Sequence, residues 1–147
     1  MKKKHQTFIK TAKLFASNST CYSRQTGCII VKDDRIISTG YNGVPAGQHP
    51  HCEDIWRPIA FMREKHHEWS LKNEVHAEAN AICACAKAGI STDNSELYTT
   101  ISPCTSCALL IVQAGIKKVY YEIEYDLSDG LDVLKNNNIY TEQIKEK

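Results

Sequence analysis

The sequence predicts one α/β domain built on a mixed β-sheet. The chain has 147 residues, a common size for a single domain with one core. Two β-rich runs, residues 28–31 and 36–39, are separated by the polar residues 32–35, which is typical of an antiparallel hairpin. After this hairpin the chain alternates between helical and extended patterns, which favours parallel neighbouring strands. The predicted sheet therefore contains both strand orientations.

Proline and glycine residues mark the ends of the predicted elements. Pro103 is suited to open a helix, and Gly89 and Gly115 are suited to end one. The stretch 48–75 is irregular, and the three asparagines at 136–138 indicate a turn. The predicted helices cover residues 6–17, 77–87 and 103–114, and the other predicted strands cover residues 96–100 and 118–122.

Charge and composition narrow the classes of function. The 18 Lys and Arg residues against 17 Asp and Glu residues give a net charge of +1, without the basic excess that a long nucleic acid requires. We therefore expect a small-molecule ligand and no nucleic-acid partner. No apolar run approaches the roughly 20 residues of a membrane span, and Lys10 and Lys13 interrupt the segment after the basic N-terminus. We expect no membrane association, a cytosolic location, and a solvated terminus at Lys2 to Lys4.

Three residues can form a metal site. Seven cysteines in a cytosolic chain favour metal ligation or burial over disulfides. Cys104 and Cys107 are three residues apart at a predicted helix start and share a face, and His76 can add a nitrogen ligand. Three protein ligands leave the fourth tetrahedral position open for water, as in a catalytic zinc site. The cysteines expected to be inert core residues are Cys28, Cys83 and Cys85.

Glu78 is the candidate general base beside this metal. Two thiolates cancel the charge of Zn²⁺, so a nearby base should help to activate water. At the first turn of a helix, Glu78 can lie beside the open position while His76 binds the ion. A thioredoxin-like redox pair at Cys104 and Cys107 is an alternative that leaves His76 and Glu78 unexplained, and a structural zinc knuckle is another.

The pattern His76-x-Glu78 followed by Pro103-Cys104-x-x-Cys107 matches the motif of zinc nucleobase deaminases. Within that superfamily the sequence resembles the deoxycytidylate deaminases, particularly the short viral and phage forms, from about Thr20 to Tyr125. The motifs that carry the resemblance are Gly40-Tyr41-Asn42-Gly43, Glu68-Trp69-Ser70, residues 72–78, Ser102-Pro103-Cys104 and residues 114–118.

The resemblance implies a three-layer α/β/α cytidine deaminase-like fold with a five-stranded mixed sheet, assembled as a homo-hexamer. It implies a catalytic zinc, Glu78 as proton shuttle, and conversion of dCMP to dUMP and ammonia for thymidylate synthesis. Relatives usually carry a larger apolar residue after the glutamate, whereas this sequence has Ala79. The difference affects the expected packing behind the site but not its chemistry. The implied substrate contacts are Asn42 at the sugar, Thr26 and the backbone of Ala77 at the base, and Tyr125 at the phosphate.

A second, structural zinc is also implied, which could fasten the stretch 48–75. The matching positions are Cys21, Cys52, His66 and Glu74. The rival ligands are His49, His51 and His67, and ordinary polar surface is the alternative.

Regulation is the last implication of the resemblance, with dCTP as activator and dTTP as inhibitor. The loop 40–47 contains Gly40, Gly43 and Gly47, whose backbone N–H groups could approach a triphosphate together with Mg²⁺. A simple turn leaving the hairpin is the alternative.

Three other functions remain open. A bifunctional dCMP/dCTP deaminase is compatible with the sequence. A tRNA adenosine deaminase should carry a basic face, which the near-neutral charge opposes. A non-catalytic zinc-binding module would not need Glu78.

Overall fold

A computed structural model describes residues 3–56 and 63–146. In these ranges the helices are α1 (Lys3–Ala16), α2 (Cys52–Trp56), α3 (Arg63–Asn73), α4 (Ala77–Ala88), α5 (Thr105–Gln113) and α6 (Gly130–Asn136). The strands are β1 (Gly27–Lys32), β2 (Arg35–Tyr41), β3 (Glu96–Ile101), β4 (Lys118–Ile123) and β5 (Tyr140–Gln143). None of the helices described has the length and apolar character needed to cross a membrane.

The five strands form one sheet in the order β2-β1-β3-β4-β5. β1 is antiparallel to both β2 and β3, whereas β3, β4 and β5 run parallel. The predicted mixed sheet and its five strands are confirmed. This topology brings the start of β1, the end of β2 and the carboxyl ends of β3 and β4 to one edge of the sheet. The segments that leave these ends build the candidate site.

Helices cover both faces of the sheet. Side chains alternate along β1, so that Cys28 and Ile30 face one side and Ile29 and Val31 face the other. The Ile29 side packs against α1, and the Cys28 side packs against α4, α5 and α6. The three-layer α/β/α arrangement is therefore confirmed.

Several elements lie where the sequence patterns gave no signal. The irregular stretch 48–75 contains α2 and α3, and α6 and β5 follow β4. Apolar periodicity missed them because α2 and β5 are only five and four residues long and α3 is polar along most of its length. The predicted asparagine turn is formed by Asn137 and Asn138, while Asn136 ends α6. Of the basic N-terminal lysines, Lys3 and Lys4 belong to α1, and Lys2 lies outside the described residues.

Helix α5 begins two residues later than predicted. Cys104 is its N-cap, with the extended angles φ −69° and ψ 169°, and Pro103 continues the extended chain that leaves β3. The carbonyl oxygen of Pro103 lies against the backbone of Gly130 at the start of α6, where a Cβ would not fit. This contact with α6 accompanies the extended conformation before α5, and Cys104 and Cys107 lie on the same side of the helix start, with both sulfur atoms near His76.

Two smaller expectations were also wrong. Cys83 is exposed because it lies on the solvent side of α4, whereas Cys28 and Cys85 are buried as predicted. Gly40 belongs to β2 rather than to a loop.

Candidate functional site

The caps of two helices meet at the edge of the sheet. His76 is the N-cap of α4 and Cys104 is the N-cap of α5. His76 Nδ1 lies 3.5 Å from Cys104 Sγ and 3.4 Å from Cys107 Sγ. Ligand sulfur and nitrogen atoms of a tetrahedral zinc are about 3.5 Å apart, given Zn–S and Zn–N bonds of about 2.3 and 2.0 Å. The structure thus brings the three predicted ligands together in a geometry and donor set that fit zinc.

Close contacts among the three ligands shift the pKa of each one. Hydrogen bonds with Cys107 and His76 lower the pKa of the Cys104 thiol to about 4. The pKa of Cys107 is raised because it hydrogen-bonds to Cys104. The hydrogen bond with Cys104 also raises the pKa of His76. His76 is exposed, so one side of the cluster stays accessible to a ligand.

Glu78 is buried beside the metal ligands. It is the second residue of α4, is 6% exposed, and accepts a hydrogen bond from Thr99 Oγ1 at 3.1 Å. Burial raises the pKa of its carboxyl group. A buried carboxylate with a raised pKa is suited to accept and return protons near neutral pH.

A cleft of about 1070 Å³ is lined by Glu78, by two of the three metal ligands, and by three of the predicted substrate contacts, Thr26, Asn42 and Tyr125. Asn42 Oδ1 accepts a hydrogen bond from the backbone N–H of Thr26 at 2.9 Å, and its Nδ2 donates to the carbonyl of Arg24 at 2.8 Å. These bonds fix the orientation of the amide and leave one N–H and one lone pair for a ligand.

Arg24 was missed by the sequence analysis. Its guanidinium lies over the ring of Tyr125, 4.9 Å from the ring centroid, and both residues line the cleft. Because Arg24 is exposed, it places a positive charge that is accessible from the cleft. A single arginine in a loop belongs to no recognisable motif. Because Arg24 and Tyr125 are far apart in the sequence, local patterns could not predict their contact.

Ala77 and the two predicted regulatory glycines lie in different environments. Ala77 is fully buried at the start of α4, beneath the cleft rather than among its lining residues. Gly43 is buried, and its N–H donates to the carbonyl of Val75 at 3.1 Å, so this N–H is not free for a phosphate. Gly47 is exposed, has φ 77°, and would have no atom within 4 Å of an added Cβ.

A second cluster adjoins the same cleft, which three of its four residues line. It consists of the four residues of the expected structural zinc site, whose ligand atoms all lie within 4.8 Å of one another: Cys21, Cys52, His66 and Glu74. His66 Nε2 is 3.1 Å from Cys52 Sγ and 3.8 Å from Cys21 Sγ. The backbone N–H of Tyr22 donates a hydrogen bond to Cys52 Sγ at 3.1 Å.

Within the described ranges, the carboxyl group of Glu74 lacks an interaction partner for one of its oxygens in this cluster. Its side chain is 2% exposed, and Oε1 accepts a hydrogen bond from the Ser70 hydroxyl at 2.6 Å. The other oxygen, Oε2, is buried without a hydrogen-bond partner among the residues that the structure describes. A metal ion on these ligands would supply the missing interaction, and two thiols, an imidazole and a carboxylate are zinc ligands.

The rival histidines do not belong to this cluster. His49 and His51 lie with Asp54 in a separate, more exposed group, in which Asp54 Oδ2 accepts the backbone N–H of His51 at 3.0 Å. His67 is exposed and lines the cleft.

The chain is similar to proteins of known activity. Residues 2–123 match the family model described as the cytidine and deoxycytidylate deaminase zinc-binding region. The chain is 36% identical over 176 residues to the deoxycytidylate deaminase of Enterobacteria phage T4, covering 98% of this chain and 91% of the relative. It is 37% identical to the deoxycytidylate deaminase of Saccharomyces cerevisiae, covering 93% of this chain and 43% of that relative. The crystal structure of the cyanophage S-TIM5 dCMP deaminase with dCMP and dUMP has a TM-score of 0.82 at 38% identity, covering 98% of this chain and 99% of that chain.

Proposed function

This chain belongs to the cytidine and deoxycytidylate deaminase family, and we propose that it hydrolyses dCMP to dUMP and ammonia in the cytosol. The observation that carries the proposal is a buried carboxyl group, Glu78, beside a cluster of three candidate zinc ligands, two of which line the same cleft as Glu78. The chain is a deaminase and therefore a hydrolase, in keeping with relatives named for that reaction.

The proposed reaction depends on proton transfer by Glu78. A zinc ion held by His76, Cys104 and Cys107 would supply a Lewis acid that makes a water molecule more acidic. Glu78 accepts a proton from the attacking water and delivers it to N3 of the cytosine ring. It then transfers the remaining proton to the amino group at C4, which leaves as ammonia. The water oxygen stays at C4 as the carbonyl of dUMP, so the atoms balance.

Contacts along the cleft support a nucleotide as substrate. The N–H and the lone pair of the Asn42 amide that are not used within the chain can bind the sugar. Thr26 lies beside Asn42, immediately before β1. Arg24 and Tyr125 can bind the phosphate, because a guanidinium and a phenol are donors suited to phosphate oxygens. The predicted contact from the backbone of Ala77 to the base remains part of the proposal.

An assay of ammonia release with four substrates tests this function. We expect dCMP to react with the highest kcat/KM, ahead of deoxycytidine, cytidine monophosphate and dCTP. Comparable rates with dCTP would favour the bifunctional alternative. A failure to release ammonia from any of them, with zinc present, would favour a non-catalytic module or a deaminase acting on tRNA.

A structural zinc at the second cluster is part of the proposal. The close grouping of Cys21, Cys52, His66 and Glu74 and the unpartnered oxygen of Glu74 support it. Such an ion would join the segment before β1 to α2 and α3. The lining of the substrate cleft would then depend on this metal.

Regulation in a homo-hexamer is a further part of the proposal, with dCTP as activator, dTTP as inhibitor and Mg²⁺ bound to the triphosphate. A contact between the loop 40–47 and the site supports it. Gly43 and Val75 form two backbone hydrogen bonds with each other, and Val75 immediately precedes the candidate metal ligand His76. A displacement of the loop at the exposed Gly47 could therefore be transmitted to His76.

Steady-state kinetics with and without the triphosphates test this regulation. We expect a sigmoidal dependence of rate on dCMP that dCTP with Mg²⁺ makes hyperbolic, and a hexamer by sedimentation velocity. Hyperbolic kinetics unaffected by either triphosphate would contradict it.

A further inference from the structure

Thr99 lies at the centre of the sheet with its hydroxyl directed at the catalytic carboxyl group. It is in β3, the middle strand, and is fully buried. Its Oγ1 is 3.1 Å from Glu78 Oε1 and 2.9 Å from the carbonyl oxygen of Ile101. The hydroxyl therefore has two acceptors within reach but only one hydrogen to donate.

We infer that Thr99 is a positioning residue that holds the carboxyl group of Glu78 in its reactive orientation, an inference that rests on the proposed deaminase function. A glutamate side chain has three rotatable bonds, and Glu78 lines the cleft. A bond from β3 to Oε1 restrains the carboxyl group and leaves the second oxygen, Oε2, for the reacting atoms. Restraint of this kind lowers the barrier without contact to the substrate.

The hydroxyl suits both stages of the proton transfer. While Glu78 is ionised, Thr99 can donate its hydrogen to Oε1. Once Oε2 carries a proton from the attacking water, Oε1 is still an acceptor, and Thr99 can continue to donate to it. The carboxyl group thus keeps a partner in both states without rotating away from the cleft.

The packing of the sheet does not require a hydroxyl at this position. Thr99 pairs with Cys28 on β1 and with Tyr121 on β4, and all three residues are buried. Valine has nearly the same shape and the same preference for strands, so it would fill the position with an apolar group. The polar group is explained by its contact with Glu78.

Kinetics of Thr99→Val and Thr99→Ser, measured with dCMP and zinc-loaded enzyme, test the inference. We expect Thr99→Val to lower kcat about tenfold, as for the loss of one positioned hydrogen bond in an active site, and to leave KM unchanged. Thr99→Ser keeps the hydroxyl and should retain most of the wild-type kcat. Zinc content should be that of the wild type in both variants.

Ligand binding gives a readout that does not depend on turnover. A stable pyrimidine nucleotide with a hydroxyl on a tetrahedral C4 mimics the hydrated base. Its affinity should fall about tenfold in Thr99→Val, while the affinity for dUMP stays unchanged. Should Thr99→Val not fold, Thr99→Cys, a weaker hydrogen-bond donor of similar size, replaces it with the same expectations.

Wild-type kcat in Thr99→Val would overturn the inference. Equal losses in Thr99→Val and Thr99→Ser would also overturn it, because the methyl group and not the hydroxyl would then be responsible. A wild-type enzyme without activity on dCMP would instead refute the proposed function, whereas an active wild type matched by Thr99→Val refutes the positioning role alone.

Discussion

The backbone of Gly40 packs directly on the backbone of Ala81, so that a Cβ added at Gly40 would lie 2.7 Å from the amide nitrogen of Ala81. The same Cβ would also collide with the carbonyl oxygen of Ala77. Strand β2 therefore supports the first turns of α4, the helix that presents His76 and Glu78. The glycine is required by this close approach rather than by a turn.

Gly40→Ala should push α4 away from the sheet. We expect a loss of about 1–3 kcal/mol in the free energy of unfolding, the usual scale for overpacking a core, together with reduced kcat. Thermal denaturation and the dCMP assay measure the two effects. Gly43→Ala is the matched control for stability, because the nearest atom to its added Cβ would be Thr20 Oγ1 at 3.6 Å. Equal melting temperatures for Gly40→Ala and the wild type would contradict the packing argument.

Glu78→Gln should remove the proton shuttle without removing the metal site. The amide keeps the size of the carboxyl group but cannot accept and return a proton, so kcat should fall at least roughly 10²-fold. Zinc content and melting temperature should change little. Glu68→Gln, at an exposed position of α3, is the control and should remain active. Full activity in Glu78→Gln would support a non-catalytic role for the cluster.

The proximity of the candidate metal ligands could be predicted because these residues lie in short motifs at the starts of helices. His76 and Glu78 belong to one turn, and Cys104 and Cys107 belong to another, so local spacing fixes most of their geometry. Helix α5 begins two residues later than predicted. The carbonyl oxygen of Pro103 lies against the backbone of Gly130, a contact between distant residues that local propensity does not record.

Contacts between segments that are far apart in the chain could not be predicted from the sequence patterns. The approach of Arg24 to Tyr125 depends on how two loops leave the sheet, and no periodic pattern records it. The four ligands of the second cluster were expected only from a resemblance. Spacing alone could not separate His66 from His49 and His51, because all three lie in a stretch without apolar periodicity.

Cys104→Ser should abolish tight zinc binding at the catalytic site. A hydroxyl is a poor zinc ligand at neutral pH, whereas the pKa of the Cys104 thiol, about 4, makes it a thiolate. We expect metal analysis after dialysis to show one zinc fewer per chain than in the wild type, with activity lost. Cys83→Ser, on the exposed side of the same helix as Glu78, should keep both zinc and activity. Normal turnover by metal-free protein would contradict the proposed mechanism.

Arg24→Gln should weaken recognition of the phosphate selectively. The substitution keeps hydrogen-bonding capacity but removes the charge, and charge-assisted hydrogen bonds contribute about 1.5–3 kcal/mol. We expect kcat/KM for dCMP to fall about tenfold or more, while kcat/KM for deoxycytidine, which has no phosphate, stays close to the wild-type value. Equal losses of kcat/KM for both substrates would indicate that Arg24 stabilises the loop conformation instead. In this loop its backbone carbonyl accepts a hydrogen bond from Asn42.

Cys52→Ser should empty the second cluster while leaving the catalytic one loaded. Cys52 is fully buried and contacts both His66 and the backbone of Tyr22, so its sulfur joins α2 to α3 and to the segment before β1. We expect two zinc ions per chain in the wild type and one in Cys52→Ser, with a lower melting temperature, because binding of a structural metal stabilises the folded state. His49→Ala removes a ligand of the separate, exposed group and should keep both ions. Two ions in Cys52→Ser but one in His49→Ala would assign the second zinc to the exposed histidines, and one ion in the wild type would exclude a structural zinc altogether.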